Sequence, residues 1–220
     1  MKIKNLALGY VGNSEFFKWI NLDESYGRRI IEQTSKDLKI KSCLDIGCGN
    51  GEDLFLIKKW NPNSNLIGFD ICKDSQSLEI KKNKNYYKRE ILNIENSHWP
   101  TEDNSLDLII ANQVLEHTKE IFWINHEIFR SLKIGGHLLL GVPNTLSLHN
   151  RLLGLVGIHP SNCKIISAHV RAFSKKDTFN FYKIIGKNFT KIINFKGTQF
   201  YPFPLFIAKK AIFYFQNKLF

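Results

Sequence analysis

Short apolar runs alternate along the chain with stretches whose apolar residues recur at helical spacing, and polar turns separate them. Cys43 to Ile46 reads as a buried strand. Glu52 to Trp60, with Leu54, Ile57 and Lys58 at helical spacing, reads as the helix after it. Asn61-Pro62-Asn63-Ser64-Asn65 is a turn, and Leu66 to Asp70 is a second buried strand. A lysine-rich helix from Lys73 to Lys84 leads to a third strand, Tyr86 to Arg89, which runs into Glu90-Ile91. Leu106 to Ala111 is a fourth strand. Lys119 to Leu132 is a helix that buries Phe122, Ile128 and Phe129. Lys133-Ile134-Gly135-Gly136 stops that helix, and His137 to Val142 is a fifth strand. Strands that alternate with helices predict an α/β fold, a doubly wound and mostly parallel sheet.

The flanks carry helical patterns. Ser14 to Leu22 holds Phe16, Phe17, Trp19 and Ile20, and Asp23 can cap a helix running to Leu38 through Tyr26, Ile30 and Ile31. Ser174 caps a late helix through Phe179, Tyr182 and Ile185, with Gly186 at its end. Lys191 to Phe195 and Gly197 to Tyr201 are expected to close the sheet as antiparallel strands. Beyond Pro204 the chain reads as one more helix. Lys209, Lys210, Gln216 and Asn217 share one side of it; Leu205, Ala208, Ile212, Phe215 and Leu219 share the other. That apolar side needs cover: the protein's own sheet, a second copy in a homodimer, or a bilayer surface. With no repeat or low-complexity linker, the expectation is one domain over residues 1–220. Within it, 1–41 is a helical cap, 42–145 a ligand-binding core, and 146–220 an acceptor-side and basic aromatic segment.

Composition narrows the classes. A chain of 220 residues can bury a full core. It has no apolar run of about 18 residues, and Met1 to Leu6 opens without a signal-peptide core. Cys43, Cys48, Cys72 and Cys163 form no C-x-x-C pair and read as reduced thiols. The expected location is cytoplasmic, with peripheral contact at the inner membrane face as a variant. The net charge is +11, and almost all of it falls after residue 163, where eleven Lys and Arg face the single acid Asp177. That segment also holds half of the aromatic residues. An acidic or interfacial partner and a solvated basic face both account for it. No His, Asp or Glu cluster has the local spacing of a metal site, so the expectation is no metal.

The candidate chemistry centres on Asp45-Ile46-Gly47-Cys48-Gly49-Asn50-Gly51, an acid and three alternating glycines between the first strand and its helix. Glycine lets the backbone turn tightly and lie against a ligand, with the N–H groups of the next helix facing it. Dinucleotide sites favour G-x-G-x-x-G around a pyrophosphate. Here the strand ends in an acid, which repels phosphate and suits a ligand with a cationic amino-acid end. Asp70 lies 25 positions later at the tip of the second strand, where doubly wound folds place a ribose-binding acid. Capping of the following helix is its alternative role.

The acid–glycine run resembles motif I of the class I S-adenosylmethionine (SAM)-dependent methyltransferases. Asp107, followed by Val114-Leu115-Glu116-His117, resembles the D-x-x-x-x-x-x-V-L-E-H signature of the broad family related to ubiquinone and menaquinone methyltransferases. Val142-Pro143-Asn144 and His169-Val170-Arg171-Ala172-Phe173-Ser174 resemble a subgroup associated with modifying sugars, lipids or cell-surface glycans. Two departures stand out: Ile134 replaces the usual proline of L-K-P-G-G, and Glu90 stands where Asp is commoner. The resemblance implies a Rossmann-like methyltransferase that binds SAM and releases S-adenosylhomocysteine. It implies a cofactor site of Asp45, Gly47, Cys48, Gly49, Asn50, Gly51, Asp70, Ile71, Glu90, Ile91, Asn112 and Gln113. Glu90 and Ile91 would take the adenine edge.

His117, just past the fourth strand, is either a general base for a hydroxyl acceptor or a cofactor contact. Glu116 reads as structural. His149, His159 and His169 are further candidates, and His169 with Arg171 could hold an anionic acceptor. The expected reaction is metal-independent O-methylation of a small molecule, a lipid-linked acceptor or a glycan. Nucleic-acid methylation competes through the basic charge, against the absence of an N-P-P-Y-type segment and of an RNA-binding module. A SAM-binding protein without catalysis would show damage to the glycine loop, which is intact.

Overall fold

The computed structural model describes residues 27–72, 86–160, 163, 167–187 and 190–195. The expected helices over 14–22, 73–84 and beyond Pro204, the cap at Asp23, and the strand over 197–201 lie outside the described residues.

The sheet follows the expected pattern. β1 (Ser42–Ile46), β2 (Asn65–Asp70), β3 (Lys88–Ile91), β4 (Leu106–Asn112) and β5 (Leu132–Gly141) lie in the order β3-β2-β1-β4-β5. All four pairings are parallel. The chain winds from β1 out to β3 on one side and then crosses to β4 on the other. The order therefore reverses between β1 and β4, which opens a crevice at their carboxyl ends.

Strand periodicity divides the core between the two faces. Cys43, Leu108 and Ile110 face one way, against Ile31 of α1 (Arg28–Asp37) and Leu54 and Ile57 of α2 (Glu52–Trp60). Leu44, Ile46, Ile109 and Ala111 face the other way, against Ile121, Ile124 and Ile128 of α3 (Ile121–Ser131). Burial on both faces is why β1 and β4 read as nearly continuous apolar runs. Asp107 fastens the far end of the sheet: its Oδ2 accepts from the backbone N–H of Lys41 at 2.8 Å and of Ser42 at 2.9 Å, and its Oδ1 takes Lys133 Nζ at 2.6 Å. Burial pushes this carboxyl up, but Lys133 and the two N–H groups outweigh it and hold it below the ordinary value. The four cysteines form no disulfide. No helix among the described residues is long and apolar enough to cross a membrane.

Three expectations change. α3 buries Ile121, Ile124 and Ile128, while Phe122 is 70% exposed, with its ring 5.7 Å from that of Phe181. The run Ile121 to Ile124 is apolar throughout, so two stripes were available, and packing on the sheet selected the i, i+3, i+7 one. β5 starts at Leu132, directly after α3. The Gly135-Gly136 pair does not end the helix; it sits at a break in register, where Leu106 pairs with Leu132 and Leu108 with His137. Residues 133–136 bulge there, with Gly135 at φ +82°. Finally, 191–195 form no strand; the Phe195 ring instead packs 5.6 Å from that of Phe179.

α4 (Leu148–Leu155) and α5 (Lys175–Ile185) complete the described elements. Ser174 caps α5 as expected, its hydroxyl accepting from the Asp177 N–H, and Gly186 follows its last residue.

Candidate active site at the carboxyl ends of β1 and β4

A cleft of about 200 Å³ opens at the β1–β4 crevice. Asp45, Gly47, Cys48, Gly49, Asn50, Asn112 and Gln113 line it, all of them singled out in the sequence. Arg28, Glu52 and Asp53 line it too, and were not singled out. Glu52 and Asp53 open α2, where acids are common for complementing the helix dipole, so their type alone carries no signal.

The loop glycines have different reasons. Gly47 stands at φ +68°, and a Cβ there would run into the Val114 side chain. Gly49 stands at φ +49°, yet a Cβ there would meet nothing within 4 Å. The tightness at Gly47 is internal; the space at Gly49 is open to a ligand.

Charge in the cleft opposes that of the chain. Asp45 is only 3% exposed, and burial first, then Asp53 and Asp70, push its carboxyl well above the usual range. Asp53 accepts from Arg28 Nε at 3.2 Å and from Asn112 Nδ2 at 2.8 Å, which ties α1, α2 and β4 together. Arg28 also pairs with Glu52. Even with Asp45 held towards its neutral form, Glu52 and Asp53 against one arginine leave a negative lining in a protein of net charge +11. Such a lining suits a sulfonium and an ammonium group. Cys48 offers a neutral wall, because burial, then Asp45, push its thiol up to about 12.

The remaining expected residues sit beside the cleft, outside its lining. Asp70 accepts from the Gly49 N–H at 2.8 Å through Oδ2 and from the Cys72 N–H at 2.9 Å through Oδ1. Each oxygen keeps a second lone pair, so both ribose hydroxyls can still be accepted. Arg89 lies 3.7 Å from Asp70 and donates to the carbonyls of Gly49 and Cys72, which clips the two loops together. Ile71 and Ile91 are exposed, and Glu90 pairs with Lys88 Nζ at 2.7 Å. The Gly51 carbonyl accepts from the Tyr86 hydroxyl at 2.9 Å.

Past Gln113, which holds φ +58°, the chain makes a short 3-10 turn, Leu115–His117. Three sequence elements meet here. The Glu116 carbonyl accepts from the N–H groups of Val170 at 2.8 Å and Arg171 at 3.2 Å. Asn144 bridges to Phe173, and the Thr145 N–H donates to the Phe173 carbonyl at 2.8 Å. V-L-E-H, V-P-N and H-V-R-A-F-S thus form one assembly. Two readings change in consequence. Arg171 donates to the carbonyls of Thr118 and Lys119, so its guanidinium clips the strap rather than standing open for an anion. His117, Glu116 and His169 form a group of metal-ligand type that local spacing could not reveal. His117 does not line the cleft, His159 is exposed on the segment after α4, and the His149 side chain is outside the described residues.

A parallel sheet whose acid–glycine loop and acidic cleft sit at its switch point defines a class I SAM-dependent methyltransferase. A profile of the methyltransferase domain family matches residues 38–197, and the chain belongs to that family. SAM is the cofactor this membership implies, and the negative cleft with its open Gly49 fits it. Among curated relatives, the chain is 31% identical to a tRNA U34 carboxymethyltransferase of Helicobacter acinonychis, over 55% of this chain and 48% of that protein. It is 30% identical to a demethylmenaquinone methyltransferase of Lactococcus lactis, over 47% of this chain and 42% of that protein. The chain spans 32% and 48% of the length of the first two such relatives. A crystal structure of a SAM-dependent methyltransferase from Archaeoglobus fulgidus shares the fold at TM-score 0.52 and 16% identity, covering 94% of this chain and 95% of that one.

Proposed function

We propose that this chain transfers the methyl group of SAM to an oxygen of a small-molecule, lipid-linked or glycan acceptor. The observation that carries the reading is the juxtaposition of the acidic cleft with the V-L-E-H turn and its strap. Asp45 and the lining acids hold the cationic end of the cofactor, Asp70 takes the ribose, and the Gly49 backbone lies against the ligand. SAM supplies an activated methyl on a sulfonium. With SAM bound, that methyl would pass to an acceptor oxygen in line with the carbon–sulfur bond, whose electron pair would stay on sulfur. The protein's work is positioning the two reactants and taking the acceptor's proton. Because a carbonyl only accepts, His117 Nδ1–H donates to the Ala168 carbonyl at 3.2 Å. His117, whose ring this bond orients, is the residue that takes the acceptor's proton on this reading.

A second reading has its own support. The net charge of +11 and the tRNA-acting relative favour a nucleoside acceptor in RNA. A screen with methyl-labelled SAM against lipid-linked glycans, quinone precursors, sugar nucleotides and tRNA separates the two. Label in a hydroxyl of a non-nucleic acceptor supports the first reading, and label confined to tRNA overturns it in favour of the second. No binding of S-adenosylhomocysteine by calorimetry overturns both.

A further inference from the structure

The 3-10 turn and the strap over it bring together three side chains from positions up to 53 apart in sequence: Glu116, His117 and His169. One ligand-type atom of each lies within 4.8 Å of the other two. The two imidazole rings meet edge to face, 4.7 Å between centroids.

Glu116 is the unusual member. It is 0% exposed, and neither carboxylate oxygen has a hydrogen-bond partner. No ion pair among the described residues reaches it. A carboxylate taken out of water without a partner is costly, and buried charges are normally paired or coordinate a metal. Its backbone, by contrast, is fully engaged, since its carbonyl accepts from both Val170 and Arg171. The fold has thus anchored this residue firmly while leaving both oxygens of its carboxyl unsatisfied beside two imidazoles.

The donor types name the ligand class. Two imidazole nitrogens and one carboxylate oxygen suit first-row transition ions such as zinc, whereas magnesium prefers all-oxygen sites. His117 also has the outer support that metal-binding histidines show: its Nδ1–H is held by the Ala168 carbonyl, which leaves Nε2 to coordinate. We propose that Glu116, His117 and His169 bind a divalent transition-metal ion of the zinc type. This departs from the metal-free expectation, which rested on local spacing alone. A tetrahedral site with bonds of about 2.0–2.1 Å places its donors about 3.3 Å apart. The three groups close by at most about 1.5 Å to reach that, and the exposed ring of His117 and the half-buried ring of His169 can supply the movement. Three protein ligands leave a coordination position open, as in catalytic rather than structural sites. On the methyltransferase reading proposed above, on which this last step rests, an acceptor hydroxyl taken into that position ionises at lower pH and gives its proton to solvent, so with the metal bound His117 holds the ion and no longer acts as the base.

The test uses the full chain, stripped with a chelator and titrated with Co²⁺ by visible absorption and with Zn²⁺ by calorimetry. One Co²⁺ per chain is expected. Removal of a direct ligand in His169→Ala, and neutralisation in Glu116→Gln, should each weaken it at least about 100-fold, since outer-shell partners alone are worth 10–100-fold. S-adenosylhomocysteine binding should survive in His169→Ala, which shows that the chain is still folded. Should Glu116→Gln fail to fold, His169→Ala decides alone. Co²⁺ affinity unchanged in His169→Ala, or no binding of either ion at about 1 mM, which is weaker than about 4 kcal/mol, overturns the proposal. If the wild type binds Co²⁺ but not S-adenosylhomocysteine, the methyltransferase reading fails and the metal site stands.

Discussion

Replacing Gly49 and Gly47 in turn by alanine separates the ligand's demand on the loop from the fold's. At Gly49 the φ of +49° costs a residue with a Cβ about 1 kcal/mol, and nothing within 4 Å opposes the added atom. For a chain of this size that lowers the melting temperature by about 3 °C. At Gly47 the φ of +68° carries a similar strain, and collision with the Val114 side chain adds about 2 kcal/mol of overpacking. The expected loss there is about 3 kcal/mol, or about 9 °C. Ligand binding should rank the two differently. In the wild type, S-adenosylhomocysteine at 100 times its dissociation constant stabilises by about 2.7 kcal/mol. If the Cβ at 49 occupies ligand space and weakens binding about tenfold, the same concentration gives only about 1.4 kcal/mol, half the thermal shift. Thermal melts with and without ligand, checked by calorimetry, read both quantities. A Gly49→Ala protein with the full wild-type ligand shift would refute the claim that this backbone lies against the cofactor.

Asp70→Ala should weaken S-adenosylhomocysteine by about 1.5–3 kcal/mol in calorimetry, because buried hydroxyls lose a charged acceptor. Unchanged affinity would move the ribose contact elsewhere. Asp45→Asn should bind the ligand at least about tenfold more weakly, while the ligand-free protein becomes no less stable and less sensitive to pH. The folded-state carboxyl is raised, so between its ordinary and raised values the native state holds a proton that the unfolded chain lacks. Stability therefore falls as pH rises from about 4, and urea melts across pH should show that slope flattened in the variant. Arg130→Ala should cost about 3 kcal/mol, about 9 °C, because it strips the buried Glu127 of its arginine partner at 2.9 Å and leaves it the Trp99 N–H and two exposed histidines. A melting temperature within about 2 °C of wild type would contradict that pairing's role.

Much of the frame was legible in the sequence because it is local. β1, the glycine loop and α2 are consecutive, and each announces itself by type: apolar strand, acid, alternating glycines, helical spacing. The bounds of α2 came out as read, and Asp45, Gly47, Cys48, Gly49, Asn50, Asn112 and Gln113 share one cleft. The α/β class followed from the same alternation, since parallel strands buried on both faces need unbroken apolar runs.

Where two local patterns were equally good, only packing could choose between them. Ile121 to Ile124 is apolar throughout, and the sheet selected the stripe that leaves Phe122 outside. Gly135-Gly136 can end a helix or shape a bulge, and pairing of β5 with β4 made it a bulge. The partners of the site were decided at longer range still. Arg28 and Asp53 reach the cleft because α1 packs on α2 and the Asn112 side chain turns back to Asp53. Glu116, His117 and His169 converge only because the strap hydrogen-bonds to the turn after β4. The same contact spends Arg171 on backbone carbonyls. Sequence spacing reports neighbours within a turn of helix or a step of strand. Which side chains face each other across 52 residues depends on strand order and strap docking, and these exist only once the chain has folded.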